Sequence, residues 1–315
     1  MKILIEAKKE TNYLTTTAIG KDYYQTWYEY VYPTWKRYCN EYGIGLIIFD
    51  EDIDNQDNEH YKNGAWQKLL IGDYILNHNL NINNVCFLDT DILISPYSPN
   101  IFDCHNDEKI GVVSELKKIP YQDIDLLKRK IAFGRHHYYD KDYPLDSSLF
   151  MTNEQLWNYF DLPVKDDYFC SGVFVFNVKK HSKHLKEWYN KYKQHDDKLG
   201  NWDETFFNHE VQSSGFIQWL DYRFQALWCF EVVYKYPFLY NFGRYNNDLI
   251  RECIEASLGI NYFLHFSGFW HDGKMYKQVK VFNDEKLKDV QLFKNYLKTP
   301  VTGEPKGKQK PKVNA

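Results

Sequence analysis

The sequence predicts an α/β protein: a mostly parallel sheet with helices packed on it. Three observations carry this. Strand-length apolar runs alternate with helical periodicity through the first half, in the order β-α-β-α-β, and that order implies parallel neighbours. The run Val85-Cys86-Phe87-Leu88 is continuously apolar and stops at Asp89-Thr90-Asp91, as a buried strand does at its end. Two more strongly apolar strands, Gly172 to Phe176 and Tyr262 to Phe266, recur in the second half.

Tyr13 to Ile19 reads as the first strand, with Thr-rich β propensity. Tyr23 to Tyr42 carries aromatics at helical spacing and is ended by Gly43. Gly45 to Phe49 is a short apolar strand, followed by Asp50-Glu51-Asp52. Tyr61 to Asn77 reads as a helix with Trp66, Leu69, Leu70, Tyr74 and Ile75 on its apolar face. The strand into Asp89 follows. About residues 114 to 167 the pattern is less regular, with Arg135-His136-His137-Tyr138-Tyr139 and many Asp; this stretch is too long for a simple connection and reads as an insertion carrying function or a lid. His181 to Gln194 is an amphipathic helix. Residues 299 to 315, rich in Pro, Gly and Lys, read as a disordered tail.

Composition narrows the function. At 315 residues the chain can bury a large core, and one α/β domain with insertions accounts for it. A net charge of −4 offers no polyanion-binding surface, which argues against nucleic acid as a partner. No apolar stretch approaches the roughly 18 residues of a membrane span, and the start is too soon charged for a signal peptide. Cys39, Cys86, Cys104, Cys170, Cys229 and Cys253 show no CxxC spacing, which points to a reducing compartment, the cytoplasm. The many aromatics, 27 Tyr, 21 Phe and 9 Trp, read mostly as core, with a few left to stack on sugars.

The acidic pair is the chemical feature. A carboxylate at a buried strand end is costly unless its charge is compensated, and a divalent cation compensates it, because hard cations prefer carboxylate oxygens. The i, i+2 spacing of Asp89 and Asp91 puts both side chains on the same side of an extended backbone. They make half of a metal site, whose other positions would go to phosphates and water. The same residues also read as a strand followed by an Asp-rich turn, with Asp89 as a helix cap. In parallel sheets ligands bind at the carboxyl ends of the strands; Asp89, Asp91 and Thr15-Thr16-Thr17-Ala18-Ile19-Gly20 lie there.

Four segments then fall in order: Ala18-Ile19-Gly20-Lys21-Asp22-Tyr23; the helix that carries Lys68; Asp89-Thr90-Asp91 with Ile92-Leu93-Ile94; and a distal group of Tyr168-Phe169-Cys170-Ser171-Gly172-Val173, Asn201-Trp202-Asp203-Glu204-Thr205-Phe206-Phe207-Asn208 and Leu264-His265-Phe266-Ser267-Gly268. In this ordered set, which spans most of residues 13 to 274, the chain resembles glycosyltransferases of the GT-A fold, in motif order the family 8 type. That family's distal motifs read roughly FNxGV, DQxxLN and HFxG.

The resemblance implies a Rossmann-like, mostly parallel central sheet flanked by helices, with a smaller acceptor-side region. It implies one domain over residues 1–298: a nucleotide-binding half to about 113, the insertion 114–167, and a donor-sugar and acceptor half from 168. The implied activity is transfer from a nucleotide sugar, a UDP-sugar first, to a glycan or polysaccharide-precursor acceptor, with Mn2+ or Mg2+ as cofactor. By position, Asp89, Asp91 and His265 would hold the metal. Thr17, Ala18, Tyr23, Lys68, Asp89, Thr90, Gly268 and Lys274 would contact the donor, with the Tyr23 ring on the base. Asp203 would hold donor-sugar hydroxyls, and Glu204 would act near the anomeric carbon; both also read as a charged helix start. His265, about 170 residues after the pair, offers an imidazole that suits manganese beside oxygens.

Three departures stand out. Cys170 replaces the family's Asn, Glu204 its Gln, and His271 its Lys, with Lys274 nearby. Glu204 can be a base or a nucleophile, as an amide cannot, so the anomeric outcome does not carry over. Other classes fit less well. A haloacid-dehalogenase-type phosphatase would place the acidic pair near the N-terminus with Thr where Leu93 stands. A sugar nucleotidyltransferase needs an N-terminal Gly-rich phosphate loop, and a non-catalytic carbohydrate binder would be free to lose the acidic pair or His265.

Overall fold

The computed structural model describes residues 1–8, 11–139, 148–193 and 203–298. The chain forms two compact units, 1–281 and 282–315. The described part of the second is one helix, Asp284–Lys298. The tail from 299 lies outside the described residues, as do Asn201 and Trp202.

The strands of the first unit are β1 Lys2–Ile5, β2 Asn12–Thr17, β3 Gly45–Phe49, β4 Asn84–Leu88, β5 Ile92–Ile94, β6 Ile110–Ser114, β7 Phe169–Asn177, β8 Ile217–Trp219, β9 Ala226–Leu227 and β10 Phe263–His265. Seven form the central sheet in the order β1-β3-β2-β4-β7-β6-β8. β3, β2 and β4 run parallel, as the β-α-β-α-β order predicts. β7 lies antiparallel between β4 and β6, β8 is parallel to β6, and β1 is antiparallel to β3. The sheet is therefore mixed, with β1 and β7 opposed to the other strands. All nine residues of β7 are buried, and an unbroken apolar run carries no sign of direction. β1, half exposed, is an edge strand that the sequence reading passed over. A second, three-stranded sheet has the order β5-β10-β9.

The aromatic helix differs from expectation. It starts at Lys21, widens into a π-helical turn over Trp27–Val31, and resumes as Tyr32–Tyr42. Pro33 explains the break, since it has no N–H to donate to the preceding turn. Gly43 caps the helix at φ 70°, the left-handed conformation that glycine adopts without steric cost. The helix expected over Tyr61 to Asn77 begins at Gly64 and contains a 3-10 turn at Lys68–Leu70. The later amphipathic helix is Val178–Lys191.

The stretch read as irregular holds a 15-residue helix, Ile124–Tyr138, and a short one, Asn153–Tyr159, opened by a Thr152–Gln155 capping box. The first was missed because its buried face is thin: Leu127, Ile131, Gly134 and Arg135. One core cluster lies on the face of the sheet covered by the helices that contain Trp66 and Leu185, with Phe49, Val85, Phe87, Phe174 and Phe176 beneath them, and the alternate residues Leu46, Ile48, Cys86, Leu88 and Val175 are buried as well. No described helix is long and apolar enough to cross a membrane.

Candidate active site

The acidic pair sits in the turn between β4 and β5, and the fold clamps it from three sides. The Asp89 N–H donates to the Gly172 carbonyl on β7 at 2.9 Å, and the Phe266 N–H donates to the Asp91 carbonyl at 3.1 Å. The helix Tyr32–Tyr42 holds the exit: Trp35 Nε1 donates to the Ile92 carbonyl at 2.7 Å, and Thr34 Oγ1 accepts from the Ile94 N–H at 3.1 Å.

His265 arrives through strand pairing. β10 runs antiparallel to β5, and its register sets His265 opposite Ile92. Nε2 of His265 lies 3.1 Å from Asp91 Oδ1 and 3.7 Å from Asp89 Oδ2. One ligand atom from each of the three residues falls within 4.8 Å of the others. The imidazole is 2% exposed, whereas the carboxylates keep 39% (Asp89) and 24% (Asp91) of their side-chain surface. Burial pulls the His265 pKa down, but Asp91 and then Asp89 outweigh it, and the net shift is upward.

Gly172 makes this approach possible. A Cβ there would lie 2.5 Å from His265 Cε1 and 2.7 Å from Asp89 Oδ2, closer than any carbon can sit. On the far side of the ring, Nδ1 faces Gln225 Nε2 at 3.2 Å and the Cys170 thiol at 3.7 Å. Burial pushes the Cys170 thiol well up, so it stays neutral.

Beside the triad lies a second charged group. Lys68 Nζ is 2.9 Å from Asp203 Oδ2 and donates to Ser171 Oγ at 2.7 Å. Both members of the ion pair are almost fully buried, at 4% and 2%. Burial lowers the Lys68 ammonium, and Asp203, Asp89 and Glu204 more than reverse this. Asp203 immediately precedes the helix Glu204–Ser214, and Glu204 Oε2 accepts the Ser171 N–H at 3.0 Å. Desolvation, then the Glu115 carboxyl, pushes Glu204 up to about 8.

A cavity of about 170 Å3 adjoins the acidic turn. Tyr23, Thr90, Asp91, Gly268 and Lys274 all line it, together with Phe269 and Lys277. Gly268 has φ 97°, a conformation that strains any side chain with a Cβ. Tyr23 and Phe269 present exposed rings, 57% and 67% accessible. Thr17 ends β2 and Ala18 follows it, and neither lines this cavity; Ala18 is buried and donates its N–H to the Phe49 carbonyl at 2.7 Å. His271 faces away, donating from Nε2 to the Arg244 carbonyl at 3.2 Å, while Lys274 reaches the cavity.

Four residues here were not foreseen: Glu115, Gln225, Phe269 and Lys277. Glu115 had a signal, since Ile110-Gly111-Val112-Val113 is an apolar run followed, after Ser114, by a carboxylate. Gln225 lies in an aromatic-rich stretch with no pattern of its own.

No family model matches the chain, and no curated protein sequence matches it. Among solved structures it is similar to a glycosyltransferase involved in the glycosylation of the major capsid of PBCV-1, at 10% identity and TM-score 0.48, over 85% of this chain and 99% of that one. It is also similar to galactosyltransferase LgtC in complex with donor and acceptor sugar analogs, at 14% identity and TM-score 0.42, over 88% of this chain and 99% of that one. A third likeness, to the bifunctional glycosyltransferase WbbM, has 12% identity and TM-score 0.44; it covers 91% of this chain but about half, 52%, of that one. At these identities and TM-scores they are likenesses of chain path alone.

Proposed function

We propose that the chain is a metal-dependent glycosyltransferase that moves a sugar from a nucleoside diphosphate, UDP first, to a hydroxyl of a glycan or polysaccharide precursor. The observation that carries this reading is the meeting of Asp89, Asp91 and His265 beside a cavity with aromatic and basic walls. The donor set fits a hard or borderline cation such as Mn2+ or Mg2+: two carboxylates, one imidazole, and carboxylates open enough to leave positions for phosphate and water. Once bound there, the cation would supply charge stabilisation to the departing diphosphate.

The chain's own residues take the remaining tasks. Tyr23 and Phe269 offer flat faces to the base, and Lys274 and Lys277 offer ammonium groups to the diphosphate. Lys68 is fully engaged with Asp203 and Ser171, so its task is to hold Asp203 toward the donor sugar. Glu204 has a pKa near neutrality, which suits proton exchange with the acceptor hydroxyl. In this reading residues to about 113 form the nucleotide half of one domain over 1–298, and those from 168 form the donor-sugar and acceptor half. Six unpaired cysteines accord with a cytoplasmic location.

The test is UDP binding by calorimetry with and without Mn2+, followed by a screen of nucleotide sugars for Mn2+-dependent hydrolysis with NMR of the product anomer. Metal-dependent UDP binding and hydrolysis of one donor are expected. Binding that ignores the metal, with no donor cleaved, would overturn the reading.

A further inference from the structure

β8 is the outermost strand beyond β6, and it runs parallel to β6 with Trp219 level with Val112. The residues after Trp219 therefore leave the sheet at the same edge as Glu115. Beside this strand lies an open groove of about 580 Å3, walled by Lys118, Trp219, Asp221, Tyr222, Arg223 and Ile260. Two links tie it to the candidate active site. Tyr222 also lines the small cavity that Glu115 and Gln225 border. The Trp219 ring stands edge-on to Phe169, 6.3 Å between centroids, and Phe169 directly precedes Cys170 and Ser171. Tyr23 follows β2, on the other side of β4 in the strand order. The acidic turn after β4 thus has the nucleotide-side cavity to one side and this groove to the other.

The lining suits a sugar chain. Lys118, exposed, sits over the Trp219 ring at 5.8 Å, a weak contact that a sugar ring can displace from the aromatic face. Arg223 is fixed twice. Its guanidinium lies on the Tyr262 ring at 4.2 Å, and its Nε and Nη2 donate to the Asp221 carboxylate at 3.0 Å and 2.7 Å. Side-chain exposures of 38% and 39% leave both charged groups in reach of a ligand. A planar carboxylate–guanidinium pair sets an acceptor beside a donor, which matches two adjacent sugar hydroxyls. The pair is already held in place, so a ligand spends little entropy on ordering it. An ion pair this exposed contributes little to stability. Small molecules favour closed clefts, whereas an open trough suits a chain that runs on past it.

We propose that this groove is a distal acceptor subsite: it binds a sugar of the acceptor glycan one or more units away from the reacting hydroxyl, stacked on Trp219 in place of the Lys118 ammonium and held through adjacent hydroxyls by Asp221 and Arg223. The acceptor is then an oligosaccharide or a longer chain, not a single sugar. The inference rests on the glycan acceptor of the proposed function, and its test separates the two.

The experiment is saturation-transfer NMR of the full chain, with Mg2+ and saturating UDP, for wild type, Trp219→Ala and Arg223→Gln. The probes are cellotriose, chitotriose, maltotriose and trigalacturonate, each beside its monosaccharide. UDP binding and donor hydrolysis by water are measured on the same proteins. At least one trisaccharide should bind wild type about tenfold more tightly than its monosaccharide. Each substitution should weaken that trisaccharide about tenfold and leave UDP binding and donor hydrolysis unchanged. Trp219 packs in part against the core, so if Trp219→Ala loses UDP binding, Arg223→Gln decides. No preference for any trisaccharide, or a trisaccharide that Arg223→Gln binds as tightly as wild type, would overturn the subsite alone. Wild type that neither binds UDP nor cleaves a donor would overturn the proposed function, and the trisaccharide arm would still decide whether the groove binds glycans.

Discussion

Two clusters of charge, one at the acidic turn and one on the helix Ile124–Tyr138, are built on opposite plans. At Arg135 one cation meets one anion: its Nη2 lies 2.9 Å from Asp272 Oδ2, with side-chain exposures of 1% and 0%. The Trp270 ring covers the guanidinium at 4.3 Å, and the Tyr139 hydroxyl adds a long contact to Asp272 at 3.4 Å. At Asp89 and Asp91 two carboxylates share one imidazole and remain partly open. A balanced, sealed pair holds chain segments together, here the helix Ile124–Tyr138 and the segment Asp272–Gln278 that carries Lys274. An unbalanced, open cluster keeps an excess of negative charge that a cation relieves. Arg135, in the stretch read from the sequence as an insertion carrying function or a lid, ties these two segments together.

The largest expected effect separates the two plans. Asp272→Ala strands a buried guanidinium and should cost about 3–5 kcal/mol of stability, read by urea denaturation. Asp91→Ala should cost little in metal-free protein, since it also removes repulsion with Asp89, yet it should abolish Mn2+-dependent UDP binding. If Asp91→Ala unfolds as readily as Asp272→Ala, or keeps full Mn2+-dependent turnover, the distinction collapses.

Glu204 sharpens the contrast through pH. Folded protein holds a proton on Glu204 between its ordinary value of 4.5 and about 8, where the unfolded chain has released it. This residue's contribution therefore makes stability fall as pH rises through that window. Glu204→Gln removes the penalty, so its melting temperature should gain on wild type steadily from about pH 5 to pH 8. Its turnover should drop about a hundredfold or more while donor affinity holds. Normal turnover would reduce Glu204 to orienting the sugar.

The smallest effect is at the exposed edge of the cavity. Tyr23→Ala should weaken UDP binding by about 1 kcal/mol through lost stacking, and Tyr23→Phe should leave it unchanged. Equal losses in calorimetry would mean a hydroxyl hydrogen bond instead.

Local pattern made much of the fold legible. The parallel core β2, β3 and β4 follows from alternating strand and helix periods, and Gly43 ends its helix where glycine is needed. The π-turn at Trp27–Val31 was hidden because the aromatic spacing runs through it unbroken. The helix Ile124–Tyr138 was hidden because a buried arginine occupies a place where an apolar residue would have announced the stripe.

The sequence by itself determined that two carboxylates stand on one side of a strand end, because side-chain alternation is a local property of extended backbone. It also determined the run of Gly268 and Lys274 after His265. Tertiary structure alone decided that His265 meets Asp91, because the antiparallel register of β10 on β5 is set by contacts far apart in the chain. It decided that Gly172 must lack a side chain, that Lys68 belongs to Asp203, and that Glu115 and Gln225 stand at the site at all. Each depends on which atoms end up within a few ångströms across the core, and periodicity along the chain carries no record of that distance.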